Sequence, residues 1–451
     1  MAGGTFDKLA GKVRPGTYIN FESTRQETVG NSERGTVLIP LIGHNFGPEK
    51  EFISLSAASP DAQRLKLGYS VYDDNKNMLL IREAFKKAST VIVFITESGN
   101  KATQTSGELT ITAKYGGTRG NDIRVSIVAN PTGEELFDVS VYLDTEKTAS
   151  YEGVKTCEEL IAAAANDALV TFEGSGDLAA AAGVKLENGT DTQSTTADVT
   201  GFLDRIEGVK WNTLCFPVTE TQLHTAVLTK IKYMRENMGR GVQAVVPNMK
   251  TPDYEGIINV TNSVVVDGKA LSAAEACAWV AAATAAASCT KSNTYEIYSG
   301  ATEVVDPKDN EKAIAAINAG EFFFSVSEEG NVVVEYDINS LVTFTKPKDS
   351  TYRKNRVIRV FDSFAETVQL NFPPNKYDND PTGWEVMEGI GKTILKQYGP
   401  RPDGIGAIKN VDFDNDFLVD QSLSEGDQTF FIVGLEAVDS SEKLYFTIKT
   451  R

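Results

Sequence analysis

Apolar and polar positions along the chain fall into five stretches of different character. Thr36–Ile42 (TVLIPLI) and Thr90–Thr96 (TVIVFIT) are nearly unbroken apolar runs, the pattern of strands buried on both faces. Between them Lys76–Ala88 (KNMLLIREAFKKA) reads as a helix. From about Glu97 to Thr200 the pattern changes. GELTITAKYGG, NDIRVSIVAN and LFDVSVYLD alternate like strands and are separated by Gly, Asn and Pro turns. A short helix (CEELIAAAANDA) and a Gly/Ala/Thr-rich stretch follow.

The first pattern then resumes. Trp211–Val218 is strand-like, and Thr221–Asn237 reads as a helix that Gly239 and Gly241 are suited to close. VQAVVPN and GIINVTNSVVVD are strands. Ser272–Cys289 is a helix whose Ser272 and Glu275 form a capping-box pattern. Glu321–Asn339 predicts a hairpin turning near Glu328–Asn331. The last stretch holds the basic segment YRKNRVIRVFDSFAETV, a helix around Gly383–Gln397, and the strands QTFFIVGLEAV and KLYFTIKT.

Both ends carry an isolated strand. Thr17, Ile19 and Phe21 share one face and Tyr18 and Asn20 the other, before a polar linker. At the far end Leu444, Phe446 and Ile448 alternate with Tyr445 and Thr447, and no hairpin turn follows. Termini fray unless something ties them down, so each strand calls for a partner. The fold class expected is multidomain, α/β and α+β. An N-terminal arm spans 1–25, and a central α/β sheet domain spans 26–96 plus 201–345. A small β-rich domain is inserted at 97–200, and a C-terminal α+β domain with its strand arm spans 346–451.

A length of 451 residues suits about three domains. A formal net charge of −18 argues against a nucleic-acid surface as the main business of the chain. The four cysteines form no CxxC pair and the two histidines, His44 and His224, lie far apart. Neither a zinc site nor a disulfide framework is expected. The N-terminus lacks the apolar run of a signal peptide, and Ala273–Cys289, the longest apolar stretch, is too short to span a bilayer comfortably. The expectation is a protein made in a reducing cytoplasm, with no membrane, metal or cofactor partner.

Candidate chemistry is thin. In EGIGKTILK (Glu388–Lys396), Gly391, Lys392 and Thr393 match the end of a P-loop, but Val386 stands where its first glycine belongs. No buried strand precedes it, so a surface helix with Lys392 and Lys396 one turn apart is the better reading. KYGGTRGND reads as a loop, His224 as helix packing and His44 as a turn residue. Two histidines so placed nominate no Ser-His-Asp set. Two basic clusters stand out: Lys230, Lys232, Arg235 and Arg240, and Arg353, Lys354, Arg356 and Arg359. They read as solvated helix faces with local salt bridges, or as docking points for an acidic surface such as another copy.

Several stretches together resemble the tail sheath proteins of contractile bacteriophages and phage-tail-like bacteriocins, notably the short Gram-positive type. They are PGTYINFES, RGTVLIPL, AKYGGTRGNDIRVSI, KIKYMRENMGRGVQAVVPN, DYEGIINVTNSVVVDGKALSAAEACAWVAAATAAA, EYDINSLVTFTKPKDSTYRKNRVIRVFD and AVDSSEKLYFTIKT. They run in the family's order across nearly the whole chain. After AWVA the family often has glycines, whereas this chain has alanines from Ala282 to Ala287 around Thr284; the part after Asn130 is the least family-like.

The resemblance implies a non-enzymatic subunit of a six-fold helical cylinder around a tail tube, contracting to drive the tube through a bacterial envelope. It implies strand exchange through Thr17–Phe21 and Leu444–Ile448, with Lys392 and Lys396 facing the tube. Its implied partners are copies of itself, the inner tube protein, and baseplate and tail terminator proteins. The particle would be a virion or tail-like particle assembled in the host bacterial cytoplasm. Two other readings stay open: a nucleotide-binding α/β enzyme using Gly391, Lys392 and Thr393, or a non-contractile surface or adhesive protein.

Overall fold

The computed structural model describes residues 34–133 and 135–450. Thr17, Tyr18, Ile19, Asn20 and Phe21, the expected N-terminal strand, lie outside the described residues. A seven-stranded sheet forms the centre of a multidomain α/β and α+β chain. Its strands are β1 (Thr36–Leu41), β2 (Phe52–Ser56), β3 (Thr90–Ile95), β4 (Thr213–Cys215), β5 (Gln243–Pro247), β6 (Ile257–Val260) and β7 (Glu321–Phe322). They lie in the order β7-β6-β5-β4-β1-β3-β2, all neighbours parallel except β2 with β3.

The unbroken apolar runs follow from burial on both faces. Val37, Ile39 and Leu41 of β1 enter one core, and Leu38 enters the other. Four helices supply the covering layers: α1 (Lys76–Phe85), α2 (Thr196–Arg205), α3 (Thr221–Glu236) and α4 (Ala273–Ala286). Met78 and Ile81 of α1 and Trp279 of α4 pack on the first face; Phe202 of α2 and Val227 of α3 pack on the second. Helix α4 opens with the expected Ser272–Glu275 capping box and is buried from Ala276 to Ala285. A helix apolar all round belongs inside a protein core; Trp279 stacks there on Tyr298, with ring centroids 4.4 Å apart.

Two further units leave the sheet at its opposite ends. Beyond the C-terminal ends of the strands lies a β-sandwich. One sheet holds Ala181–Lys185, Ile123–Ala129, Phe137–Leu143 and Glu146–Val154; the other holds Lys101–Ser106, Leu109–Gly116 and Val170–Gly174. Ile111, Val125, Val139 and Leu160 fill its interior. Asn45 ties it to the centre, donating to the Thr192 carbonyl at 3.0 Å and accepting from the Thr192 N–H at 2.8 Å.

At the N-terminal ends of the strands, Gln243 of β5 donates to Asn355 Oδ1 at 3.1 Å. Asn355 opens α5 (Asn355–Asn371), which is followed by α6 (Pro381–Tyr398). A two-stranded sheet, Phe417–Val419 with Phe431–Val433, packs against them through Phe372, Phe417 and Phe431. The basic segment thus forms α5, whose charged side chains turn inward. Arg359 is fully buried and donates to Asp337 Oδ2 at 2.8 Å, and Arg235 clasps Asp362 with two bonds of 2.8 and 2.9 Å.

Candidate functional site

The crevice where the strand order reverses, between the C-terminal ends of β1 and β4, is where open α/β sheets hold ligands. Here it is a cavity of about 320 Å³ lined by Lys76, Asn77, Thr195, Glu220, Ser272 and Glu275, among others. Helices α1 to α4 all begin beside it. A phosphate would need their free N–H groups, but three of the four starts are already capped. Asn75 accepts from the N–H groups of Asn77 and Met78, Thr195 forms a capping box with Asp198, and Ser272 forms one with Glu275. The chain's own side chains take the place an anion would have.

The P-loop-like triplet differs from a phosphate cradle for a second reason. Gly391, Lys392 and Thr393 lie inside α6, where backbone N–H groups serve the helix, and the Thr393 hydroxyl donates to the Gly389 carbonyl at 2.9 Å. Gly391 has a packing role instead. A Cβ built there would lie 2.0 Å from the Phe417 ring. Lys392 is partly exposed, with Asp414 at 3.6 Å, and Lys396 is exposed one turn further on. Between them and Glu385, on the open face of the helix, sits Gly389, whose missing side chain would meet nothing within 4 Å. No contact among the described residues explains this glycine.

The two basic clusters depart from both sequence-based expectations, because most of their members are built into the interior. Arg235 and Arg359 are held by Asp362 and Asp337, and Arg240 donates to the carbonyls of Glu207 and Val209 at 2.8 and 2.6 Å. Lys230 pairs with Glu207, whereas Lys232 is exposed beside the Tyr254 ring. Arg356 and Lys354 are buried against the residues that precede the C-terminal strand. The acidic partners lie far away in sequence, which is why a local reading left these cations at the surface.

The last residues behave differently from everything before them. Leu444, Tyr445, Phe446 and Ile448 are 65%, 90%, 81% and 86% exposed. The segment KLYFTIKT has no strand partner among the described residues. An apolar alternating segment held in water is an unmet pairing surface. Among the described residues the two-stranded sheet has an unpaired edge at Phe431–Val433, where Phe430, Ile432 and Val433 are exposed. Sequence reasoning singled out the alternating segment but neither this edge nor Gly389, since both are defined only by what packs around them.

Comparisons with known proteins agree along the chain. Residues 97–191, 192–340 and 347–451 match the family models for the phage tail sheath protein beta-sandwich domain, central domain and C-terminal domain. The phage-like element PBSX protein XkdK of Bacillus subtilis is 36% identical over 477 residues, covering all of both chains. The crystal structure of a sheath tail protein from Desulfitobacterium hafniense superposes with a TM-score of 0.82 at 37% identity, covering 96% of this chain and 99% of that one. At 11% identity, the contracted helical sheath of the anti-feeding prophage shares the fold, with a TM-score of 0.55 over 98% of this chain and 100% of that one.

Proposed function

The chain belongs to the phage tail sheath protein family, and from that premise we propose that its copies form a six-fold helical sheath around an inner tail tube. The sheath contracts to drive the tube through a bacterial envelope. The observation that carries this reading is the exposed apolar segment Leu444–Ile448 together with an exposed sheet edge at Phe431–Val433. Placed on the Phe431–Val433 edge of a neighbour, the segment gains main-chain hydrogen bonds and buries its side chains. Thr17–Phe21 serve as the second arm. A strand so exchanged holds neighbours together while the bodies rotate, because the joint lies in the linker.

The exposed face of α6 supports a tube-facing role for Lys392 and Lys396. Glycine in a helix interior costs roughly 1 kcal/mol relative to alanine, and nothing among the described residues requires it at Gly389. A partner backbone approaching at that point supplies the reason. Baseplate and tail terminator proteins close the two ends of the cylinder, and assembly takes place in the host cytoplasm. No fuel is consumed at contraction. A difference of about 1–3 kcal/mol per subunit between the two lattices, summed over a long array, drives it.

Truncation tests the reading. Full-length protein overproduced in cells should form long hollow tubes in negative-stain electron microscopy. The chain ending at Lys443 should stay folded, soluble and monomeric. Normal tubes from the truncated chain would rule out the exchange of the C-terminal strand.

A further inference from the structure

The change from buried to exposed is abrupt at the end of the chain, and one carboxylate marks it. The Glu442 side chain is 9% exposed, while Leu444, two residues on, is 65% exposed. Glu442 accepts hydrogen bonds from the Ser292 and Thr294 hydroxyls, each at 2.7 Å, and an ion pair from Lys354. Ser292 and Thr294 lie in the loop that follows α4 of the centre; Lys354 directly precedes α5. Just upstream, Arg356 donates to the Ser440 hydroxyl at 2.7 Å, and the Val438 N–H donates to the Ala407 carbonyl at 2.8 Å.

The clasp continues inward without a break. Thr294 Oγ1 accepts from the Asp337 N–H at 3.0 Å. Asp337 in turn accepts from Arg359 at 2.8 Å and from Asn355 at 2.9 Å, and Asn355 accepts from Gln243 at the start of β5. Glu442 is therefore fastened where the central and C-terminal parts of the molecule meet, and a buried polar network leads from it to the central sheet. Hydrogen bonds in such a buried chain polarise and strengthen one another.

We propose that Glu442 is the anchor of the C-terminal strand. It fixes the point at which the strand leaves the body and passes a pull on residues 444–451 into the junction of the two domains. Without it, a pull would peel residues 436–443 away from the body first. The inference rests on the strand-exchange reading above and adds where the load enters the subunit. Lys354 holds the anchor electrostatically, while Ser292 and Thr294 orient it. Neither the arm sequence nor the receiving edge takes part, so the anchor and the exchange are separable.

Two measurements on the full-length chain test this. In dilute low-salt solution, Glu442→Ala should speed amide hydrogen exchange across residues 436–443 by tenfold or more. Exchange in 243–247 should stay within twofold of wild type, and Glu442→Gln, which keeps the shape and loses the charge, should fall between. Assembled tubes of Glu442→Ala should form, because the exchanging strand is intact, but break to less than half the wild-type length under the same shear. Unchanged exchange at 436–443 in both variants, or equal tube length after shear, would overturn the anchor role. If Glu442→Ala loosens 243–247 as well, the Gln variant alone decides between these outcomes. Tubes from the chain ending at Lys443 would instead sink the strand-exchange reading, whatever Glu442 does.

Discussion

At the scale of single residues, burial decides what a side chain does. His44 sits in the turn after β1, is almost fully buried, and lies edge-on to the Tyr69 ring at 5.9 Å. Burial pushes its pKa down to about 4, against an ordinary value near 6.5. Between those two values the unfolded chain binds a proton that the folded chain does not. Stability is therefore complete above about pH 6.5 and falls as the pH drops toward 4, by roughly 3 kcal/mol at most from this one residue. His224 shifts in the same direction, also by burial. Urea unfolding at pH 7 and pH 4.5 should show the loss in wild type and a smaller loss in His44→Leu. Equal pH slopes for the two proteins would refute the assignment.

At the scale of an element, α6 shows how one helix serves two surfaces. Gly391 faces inward, where the Phe417 ring occupies the space of a side chain; Gly389 faces outward into open space. Gly391→Ala should destabilise the chain by about 1–3 kcal/mol through overpacking. Gly389→Ala should stabilise the isolated chain by roughly 1 kcal/mol and yet reduce co-assembly with the tube, as read from denaturant midpoints and co-sedimentation. Stabilisation with normal co-assembly would remove Gly389 from the tube-facing surface.

Elements of this kind differ in how well sequence reveals them. β1, β3 and the Ser272-capped α4 were legible because their apolar runs and cap are local signals. α5 was not, because Arg356, Arg359 and Asp362 sit at buried positions. Its apolar stripe of Val357, Val360, Phe364 and Val368 is interleaved with buried charges whose compensating partners, Asp337 and Arg235, lie on other elements. The terminal strand was plain in pattern, but its alternation says nothing of the clasp that precedes it.

At the scale of the whole molecule, charge and topology set how copies meet. With a net charge of −18, subunits repel one another until salt screens them, and the screening length falls from about 30 Å at 0.01 M to about 10 Å at 0.1 M. Tube formation, followed by light scattering, should therefore rise between those two salt concentrations. A fall would mean that attraction between unlike charges, not apolar strand pairing, dominates the contacts. The three-part plan was readable from the changes of pattern at Glu97 and around Lys346. What those changes left unspecified was that the sandwich and the C-terminal part sit at opposite ends of one parallel sheet.

That parallel sheet also dictates the order in which the chain must fold. β1 and β4 are neighbours, with Val37 opposite Thr213, and Asn212 caps the entry to β1 by accepting from the N–H groups of Gly35 and Thr36. The two segments are separated by 176 positions. During synthesis, then, β1 and β3 emerge with one side of their sheet unmet while the entire sandwich is made. The sandwich has its own core, complete before β4 is made, and once closed it holds the two ends of the insertion together. That shortens the loop that β4 must bridge, so an inserted domain with its own core acts as a built-in folding aid for the central sheet.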